Sequence, residues 1–288
     1  MNKPKALIFG AGAKGRSLLP DIQKHYEVIG FIDNDKTKWG ETVPTSATNA
    51  AEVPISNPSA INVINYDTIV IGTYVGLEPM TEQLLNMGVS RAKIDRSYVA
   101  AAIESRIMFL ERVGQIFSEN NISGSVAEGG VFQGEFAKEI NRVFPSSTLY
   151  LFDTFEGFDK RDTDIEAERE FSQSAAGHFN ITNEELVLNK MPHREKCIIR
   201  KGFFPETAAG IDDRFCFVNL DFDLYQPILA GLDFFVPRMV SGGIVLIDDY
   251  FAEGYKGVKQ AVADFEGKSG KLRLFPVGDG NSIGVLCP

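Results

Sequence analysis

No apolar run in this sequence approaches the roughly 20 residues a helix needs to cross a bilayer, so no membrane span is expected. The N-terminus, MNKPKALIFGAGAKG, carries only a short apolar stretch that passes straight into a glycine turn. It reads as a first strand, not as a signal peptide. Cysteine is scarce: Cys197, Cys216 and Cys287 are an odd number at wide spacing, none belongs to a CxxC, and two lie inside apolar runs. Buried free thiols in a reducing, cytoplasmic compartment are expected, in place of a disulfide framework. Basic charge is also short. With 29 Lys and Arg against 39 Asp and Glu, the net charge is -10, which argues against a nucleic-acid partner. What is present is ordinary for a globular protein: 44% hydrophobic and 24% charged residues can build buried cores without staples. At 288 residues the chain allows one large or two smaller domains.

The pattern divides near residue 100, into a segment 1–98, a connecting helix 99–120 and a segment 121–288. The first segment opens with an apolar strand, Lys5 to Phe9, then Gly10-Ala11-Gly12-Ala13-Lys14-Gly15, then a helical stretch to about Lys24. A second apolar run, Val28 to Ile32, ends in Asp33, and a third, Thr68 to Gly72, precedes a helical stretch from Pro79 to Met87. Strands alternating with helices predict a parallel α/β sheet, because parallel neighbours need a crossover connection. The glycine turn has the setting a dinucleotide fingerprint requires, with a strand before, a helix after and Asp33 21 positions beyond Gly12. Gly10, Gly12, Gly15 and Asp33 are therefore candidate nucleotide-binding residues, the glycines admitting a phosphate to a helix N-terminus. The segment is too short for both mononucleotide halves of a full NAD domain. From Tyr98 to Glu119, Ile107, Phe109, Leu110, Val113, Ile116 and Phe117 recur at helical spacing and are core candidates.

The second segment repeats the strand, glycine loop, helix, strand, acid order with a different fingerprint. Its first strand ends in Glu128-Gly129-Gly130-Val131-Phe132-Gln133-Gly134, and its second, Thr148 to Phe152, in Asp153-Thr154-Phe155-Glu156-Gly157. The arrangement resembles class I methyltransferases, which implies a loop with Glu128, Gly130 and Gly134 under the methionine part of S-adenosylmethionine. It also implies that Asp153, with Thr154 and Phe155 beside it, faces the ribose, since a carboxylate offers two acceptors to a cis-diol. Downstream, two apolar runs end in Asp221-Phe222-Asp223 and in Asp248-Asp249. Ligands collect at the carboxyl ends of strands in doubly wound sheets. Neighbouring strand tips lie about 5 Å apart, where that many carboxylates repel unless a cation sits among them. Hard oxygen donors select magnesium, manganese or calcium, and no His or Cys motif recommends zinc. The polar stretch Lys160 to Glu195 could fold as a helical lid, and its His178 is a candidate substrate or base residue. Two short C-terminal strands around Gly278-Asp279-Gly280-Asn281 predict a closing antiparallel hairpin.

The stretches VAEGGVFQGEFAKEINRVFP, LYLFDTFEGF, KGFFPET, FVNLDFDLYQPILAGLDFF and SGGIVLIDDY resemble, in order, those of the macrocin O-methyltransferase (TylF-like) family over residues 125–288. The resemblance implies a second Rossmann-like domain of the methyltransferase type. It further implies S-adenosylmethionine and Mg2+ (or Mn2+) as cofactors, Asp221, Asp248 and Asp249 as metal ligands, and Asp223 as general base. The acceptor it implies is a sugar hydroxyl. The extra N-terminal segment, whose GAGAKG and GFIDND resemble the nucleotide-sugar-binding domain of bacterial sugar acetyltransferases, points to a glycan or nucleotide-sugar substrate and to a possible homo-oligomer. The competing expectation is an NAD(P)- or nucleotide-sugar-binding protein, sugar-modifying or regulatory, whose methyltransferase domain is not catalytic.

Overall fold

The computed structural model describes residues 3–45, 52–74 and 76–288. It divides into two compact units, Met1–Glu104 and Ser105–Pro288. The first unit runs β1 (Lys5–Phe9), α1 (Ala13–Ser17), α2 (Leu19–His25), β2 (Glu27–Ile32), β3 (Thr42–Pro44), β4 (Glu52–Ser56), β5 (Thr68–Ile71), α3 (Leu77–Asn86) and β6 (Ile94–Asp95). Its sheet has the order β3-β4-β2-β1-β5-β6, parallel except where β3 runs antiparallel to β4. Successive residues of β1 feed opposite faces. Ala6 and Ile8 pack with Leu19 and Ile22 of α2, while Leu7 and Phe9 pack with Leu77 and Leu84 of α3. A strand buried on both sides has to be apolar at every position, which is why the alternating polar pattern is missing.

The unit boundary falls within α4 (Ser97–Glu119). On the Ser105–Pro288 side this helix buries Leu110, Val113 and Phe117, a stripe at i, i+3 and i+7, whereas Ile116 is turned out and exposed, against the sequence expectation. Then follow β7 (Ser125–Gly129), α5 (Glu135–Val143), β8 (Leu149–Asp153), α6 (Lys160–Glu168), α7 (Glu184–Leu188), β9 (Cys197–Lys201), β10 (Phe215–Leu220), α8 (Tyr225–Phe235), β11 (Met239–Ile247), α9 (Lys256–Ser269), β12 (Arg273–Pro276) and β13 (Ile283–Leu286). The seven-stranded order is β12-β13-β11-β10-β7-β8-β9, with β13 antiparallel to both of its neighbours, so the expected closing hairpin is present. One face of the sheet packs Ala127, Phe152, Val218 and Ile247 against α8 and α9. The other packs Val126, Leu151, Phe217 and Leu246 against α4 and α5. Placing β7, β10 and β11 at the centre brings the loops after them side by side. Among the described residues no helix is long and apolar enough to cross a membrane.

The stretch expected to form a lid divides into unlike parts. Helix α6 belongs to the body of the fold: its Glu166 is fully buried and accepts a hydrogen bond from Tyr225 N (2.7 Å) in the first turn of α8. The segment between α6 and α7 crosses the glycine loop after β7, where Thr182 Oγ1 bonds the Phe132 carbonyl and Gln133 Nε2 donates to the Ile181 carbonyl (2.8 Å). His178 rides on this segment, its ring 6.3 Å from that of Phe158 and 6.4 Å from that of Phe179. All three cysteines are free, with Cys216 and Cys287 buried.

Candidate active site

Of the seven non-glycine residues at positive φ among the described residues, four lie in loops at the carboxyl ends of strands: Phe132 (46°) after β7, Phe155 (56°) after β8, Asp223 (62°) after β10 and Asp249 (56°) after β11. The left-handed region is costly for a side chain with a Cβ, most of all a bulky one. Its recurrence at the carboxyl ends of successive strands marks the sheet edge where the chain accepts strain, which is characteristic of functional sites.

The first two loops are fastened to one carboxylate. Asp153 Oδ2 accepts from Phe132 N (2.8 Å) and Oδ1 from Phe155 N (2.7 Å), so the residue expected to face a ribose also clamps the glycine loop to the end of β8. Thr154 Oγ1 is spent on the same turn, donating to the Gly157 carbonyl (2.6 Å). Gly134 (φ 78°) caps α5, and a Cβ there would come within 3.0 Å of Val187 on α7. The first unit repeats the clamp: Asp33 Oδ2 accepts from Ala11 N (2.6 Å) and Oδ1 from Asp35 N (2.8 Å), with Lys38 Nζ 3.4 Å away. Gly10 there has φ 107°, and a Cβ on Gly15 would lie 1.9 Å from the Gly10 carbonyl oxygen, so that glycine permits the helix to sit on the strand.

Glu128 is 2% exposed at the end of β7. Its Oε1 accepts from Asn219 Nδ2 (2.8 Å), while Oε2 is buried with no partner. Burial pushes this carboxyl up to about 8, against the pull of the Asn219 hydrogen bond and the Arg106 charge. A raised folded value means the neutral form is favoured on folding. The contribution to stability is therefore complete below the ordinary value of 4.5 and is lost as pH rises towards 8. In dication-free buffer we expect Glu128→Gln to flatten the fall in unfolding free energy across that interval by about one proton. Urea titrations at several pH values check this, and superimposable slopes for the two chains would contradict it.

The last two loops bring the aspartates together. Strands β10 and β11 are parallel neighbours in register, Leu220 opposite Ile247, as the proximity of the two aspartate pairs requires. Among the described residues, carboxylate oxygens of Asp221, Asp223 and Asp249 all lie within 4.8 Å of one another, a grouping able to hold a metal ion. Asp248, which the resemblance implies as a ligand, falls outside this grouping, and Asp223 stands in its place: Asp248 Oδ1 accepts from Asn281 Nδ2 (3.0 Å) and lies 2.8 Å from Ser282 Oγ, and its Oδ2 accepts from Arg106 Nη1 (2.5 Å). Asn281 also donates to Asp249 Oδ1 (2.7 Å). Burial, then the Asp248 charge, raises the Asp221 carboxyl well above the usual range, and burial followed by the Asp249 charge does the same for Asp223. Burial and the Asp248 charge also raise Asp249. At Asp248 burial is outweighed by Arg106 and by hydrogen bonding with Ser282, so that carboxyl is lowered. Not all of these groups can ionise together without a cation among them.

Sequence reasoning missed Arg106 and Asn219. Arg106 is four residues before Leu110 on the buried stripe of α4, and a charge at that register is the signal that could have found it. Asn219 is wholly buried in an otherwise apolar strand, where a polar side chain demands a partner.

The profile of the macrocin O-methyltransferase (TylF) family matches residues 90–273, and that of the C2185-like N-terminal family matches residues 2–95. A curated relative from Streptomyces olivaceus, 8-demethyl-8-(2,3-dimethoxy-alpha-L-rhamnosyl)-tetracenomycin-C 4'-O-methyltransferase, is 26% identical over 162 residues. That alignment takes in 52% of this chain and 61% of the relative, so the chain spans about three fifths of its length. The solved O-methyltransferase NovP superposes with a TM-score of 0.51 at 20% identity, covering 64% of this chain and 79% of that one. The calicheamicin methyltransferase CalS11 gives 0.51 at 19% identity, covering 74% and 90%. At such identities the solved structures speak for the fold alone. The family profile extends over more than half of the residues, and the chain belongs to the macrocin O-methyltransferase (TylF) family.

Proposed function

We propose that the second unit transfers a methyl group from S-adenosylmethionine to a hydroxyl of a sugar, free or carried on a nucleotide or glycan, with a divalent cation at the acidic cluster. The observation that carries this reading is the meeting of three half-buried carboxylates, Asp221, Asp223 and Asp249, beside the strand that bears the glycine loop. The family supplies methyl transfer, and the Streptomyces relative, by its name, acts on a rhamnosyl group. The donor set fits a hard dication, since every available ligand is a carboxylate oxygen. Asp221 and Asp249 would hold magnesium or manganese, with Asp248 as the third ligand the family implies although it lies outside the grouping of three. When bound, such an ion neutralises the cluster and lowers the pKa of a hydroxyl placed against it.

The chain's own residues do the remainder. Glu128, with its unpartnered Oε2, and the Gly130 turn would receive the methionine end of the donor, and Asp153 the ribose. Asp223, in its ionised form, takes the acceptor's proton as the oxygen–methyl bond forms, its proton affinity raised by burial and by the Asp249 charge. The sulfur–methyl bond breaks in the same step, leaving S-adenosylhomocysteine. The strap between α6 and α7 would exclude water. The reading is tested by incubating the chain with S-adenosylmethionine, magnesium and a panel of nucleotide-sugars and glycans, and seeking a product about 14 Da heavier by mass spectrometry. Absence of both donor binding by calorimetry and any heavier product would sink it.

For the first unit we propose a nucleotide or nucleotide-sugar ligand at the glycine turn. A Cβ built on Gly12 meets nothing within 4 Å, and its φ of -77° suits any residue, so nothing in the fold itself asks for glycine there. Close approach of a ligand would. Gly12→Ala should therefore leave the melting temperature unchanged while weakening binding of a nucleoside diphosphate or its sugar by about tenfold or more. Equal affinity of the two chains would remove this proposal.

A further inference from the structure

Arg106 is the one cation drawn directly into the acidic cluster among the interactions described above. Its side chain is only 14% exposed, and its guanidinium lies 4.3 Å from the Phe136 ring centre. Its fork is divided between two strand tips. Nη1 donates to Asp248 Oδ2 at 2.5 Å, while Nη2 reaches Asp221 Oδ2 at 3.3 Å and Asn219 Oδ1 at 2.9 Å. Asn219 in turn donates to Glu128, so one guanidinium is tied both to the aspartates and, through one amide, to the carboxylate beside the glycine loop. A surface arginine in a salt bridge would do none of this. The position is fixed by α4, because Arg106 shares the stripe of Leu110, Val113 and Phe117 that seats the helix on the sheet.

We propose that Arg106 is a built-in counter-cation and positioning residue: it holds Asp248 and Asn219 in place and contests Asp221 with the divalent cation. This rests on the reading of the cluster as a cation site. The three contacts are unequal. The longer arm to Asp221 is the one a dication would displace, whereas the shorter arms to Asp248 and Asn219 can persist beside it. A planar, forked, permanently charged group is suited to this, and a lysine, a single point charge on a flexible stem, is not. The cost of having such a group is affinity, since its positive charge opposes entry of a second one. Its benefit is that buried carboxylates remain compensated whether or not an ion is bound.

The test is carried out on the full chain, with manganese and magnesium as probes. Calorimetry measures ion affinity, and thermal melting is recorded with chelator and with saturating ion. For Arg106→Gln we expect about tenfold or tighter ion binding, together with a melting point several degrees lower in chelator, a deficit that largely disappears in saturating ion. Arg106→Lys should recover part of the melting point in chelator and bind ion with intermediate affinity. A wild-type chain that binds neither ion overturns the cation reading and this inference together. If the wild type binds and Arg106→Gln binds more weakly or equally, or if its melting deficit is the same with and without ion, the inference alone falls. A variant that folds in neither buffer also overturns it, because a dication at the same carboxylates should replace the lost charge.

Discussion

Replacing Asp223 by asparagine should lower kcat by about 10²- to 10⁴-fold, the range removal of a general base commonly costs, while leaving dication affinity close to that of the unaltered chain. The argument rests on a division of labour among four aspartates that occupy one sheet edge. Asp221 and Asp249 lie on the two parallel strand tips and belong to the grouping whose oxygens approach within 4.8 Å. Asp248 is anchored from behind by Arg106 and Asn281 and is the carboxyl held below its ordinary value, so it is the cluster's most firmly ionised member. Asp223 shares the grouping of Asp221 and Asp249 and, like them, has its carboxyl raised by burial and a neighbouring charge, so the role of base is assigned to it from the family resemblance and is what the experiment decides. A carboxylate of raised proton affinity is, once ionised, a stronger base than an ordinary one.

The measurement that separates these roles pairs kinetics with calorimetry on Asp223→Asn, Asp248→Asn and Asp221→Asn. The last two should lose dication affinity by about 100-fold or more, exceeding the 10- to 100-fold cost of disturbing groups that only support a ligand. Their kcat should partly return at high ion concentration, whereas that of Asp223→Asn should not. If Asp223→Asn loses the ion and Asp248→Asn keeps it, the assignments of ligand and base exchange places. The grouping of Asp223 with Asp221 and Asp249 makes that a sharp alternative.

The sequence carried the strands of both sheets wherever burial on two faces forces an unbroken apolar run, as in Lys5–Phe9, Phe215–Leu220 and the Ile244–Ile247 end of β11. Their order along the chain was enough to place Asp33, Asp153, Asp221 and Asp248 at strand tips. What was not legible follows from the same physics. Strands β3 and β4 are short and contain Pro44 and Pro54, which break the strand pattern. Helix α9 is punctuated by Gly257 and Gly267, and a Cβ on Gly257 would lie 2.8 Å from Tyr225 Cβ and 2.9 Å from Glu166 Oε1. The reason for that glycine lies in tertiary contact and not in local propensity. Arg106, Asn219 and Glu166 escaped for a related cause. The register of Arg106 and the apolar setting of Asn219 say that each needs a partner, but which one, 113 positions away, only the fold tells.

Changing Gly130 to alanine should destabilise the second unit by about 2–5 kcal/mol and weaken donor and ion binding together. Two independent costs contribute. Gly130 has φ 81°, which costs a residue with a Cβ about 1–2 kcal/mol. The added methyl would also lie 1.9 Å from the carbonyl oxygen of Asp221 and 2.6 Å from its carbonyl carbon, an overpacking that typically costs about 1–3 kcal/mol. That neighbour is backbone and cannot rotate aside. It is also held in place, since Asp221 N donates to the Gly129 carbonyl (2.8 Å) and Gly130 N to the Phe152 carbonyl (2.9 Å). The glycine loop and the first aspartate of the cluster are thus in contact through main chain, and relief of the clash must move one or both. Gly210 supplies the control, with nearly the same φ of 78° and nothing within 4 Å of a built Cβ, so Gly210→Ala meets the backbone cost without the clash. Urea unfolding of the two variants, with calorimetric titration of S-adenosylhomocysteine and manganese, reads out the difference. Should Gly130→Ala match Gly210→Ala in stability and retain both affinities, the close fit between loop and cluster would have no energetic meaning. If only the donor affinity falls, the loop yields while Asp221 stays fixed, and the two halves of the site are mechanically independent.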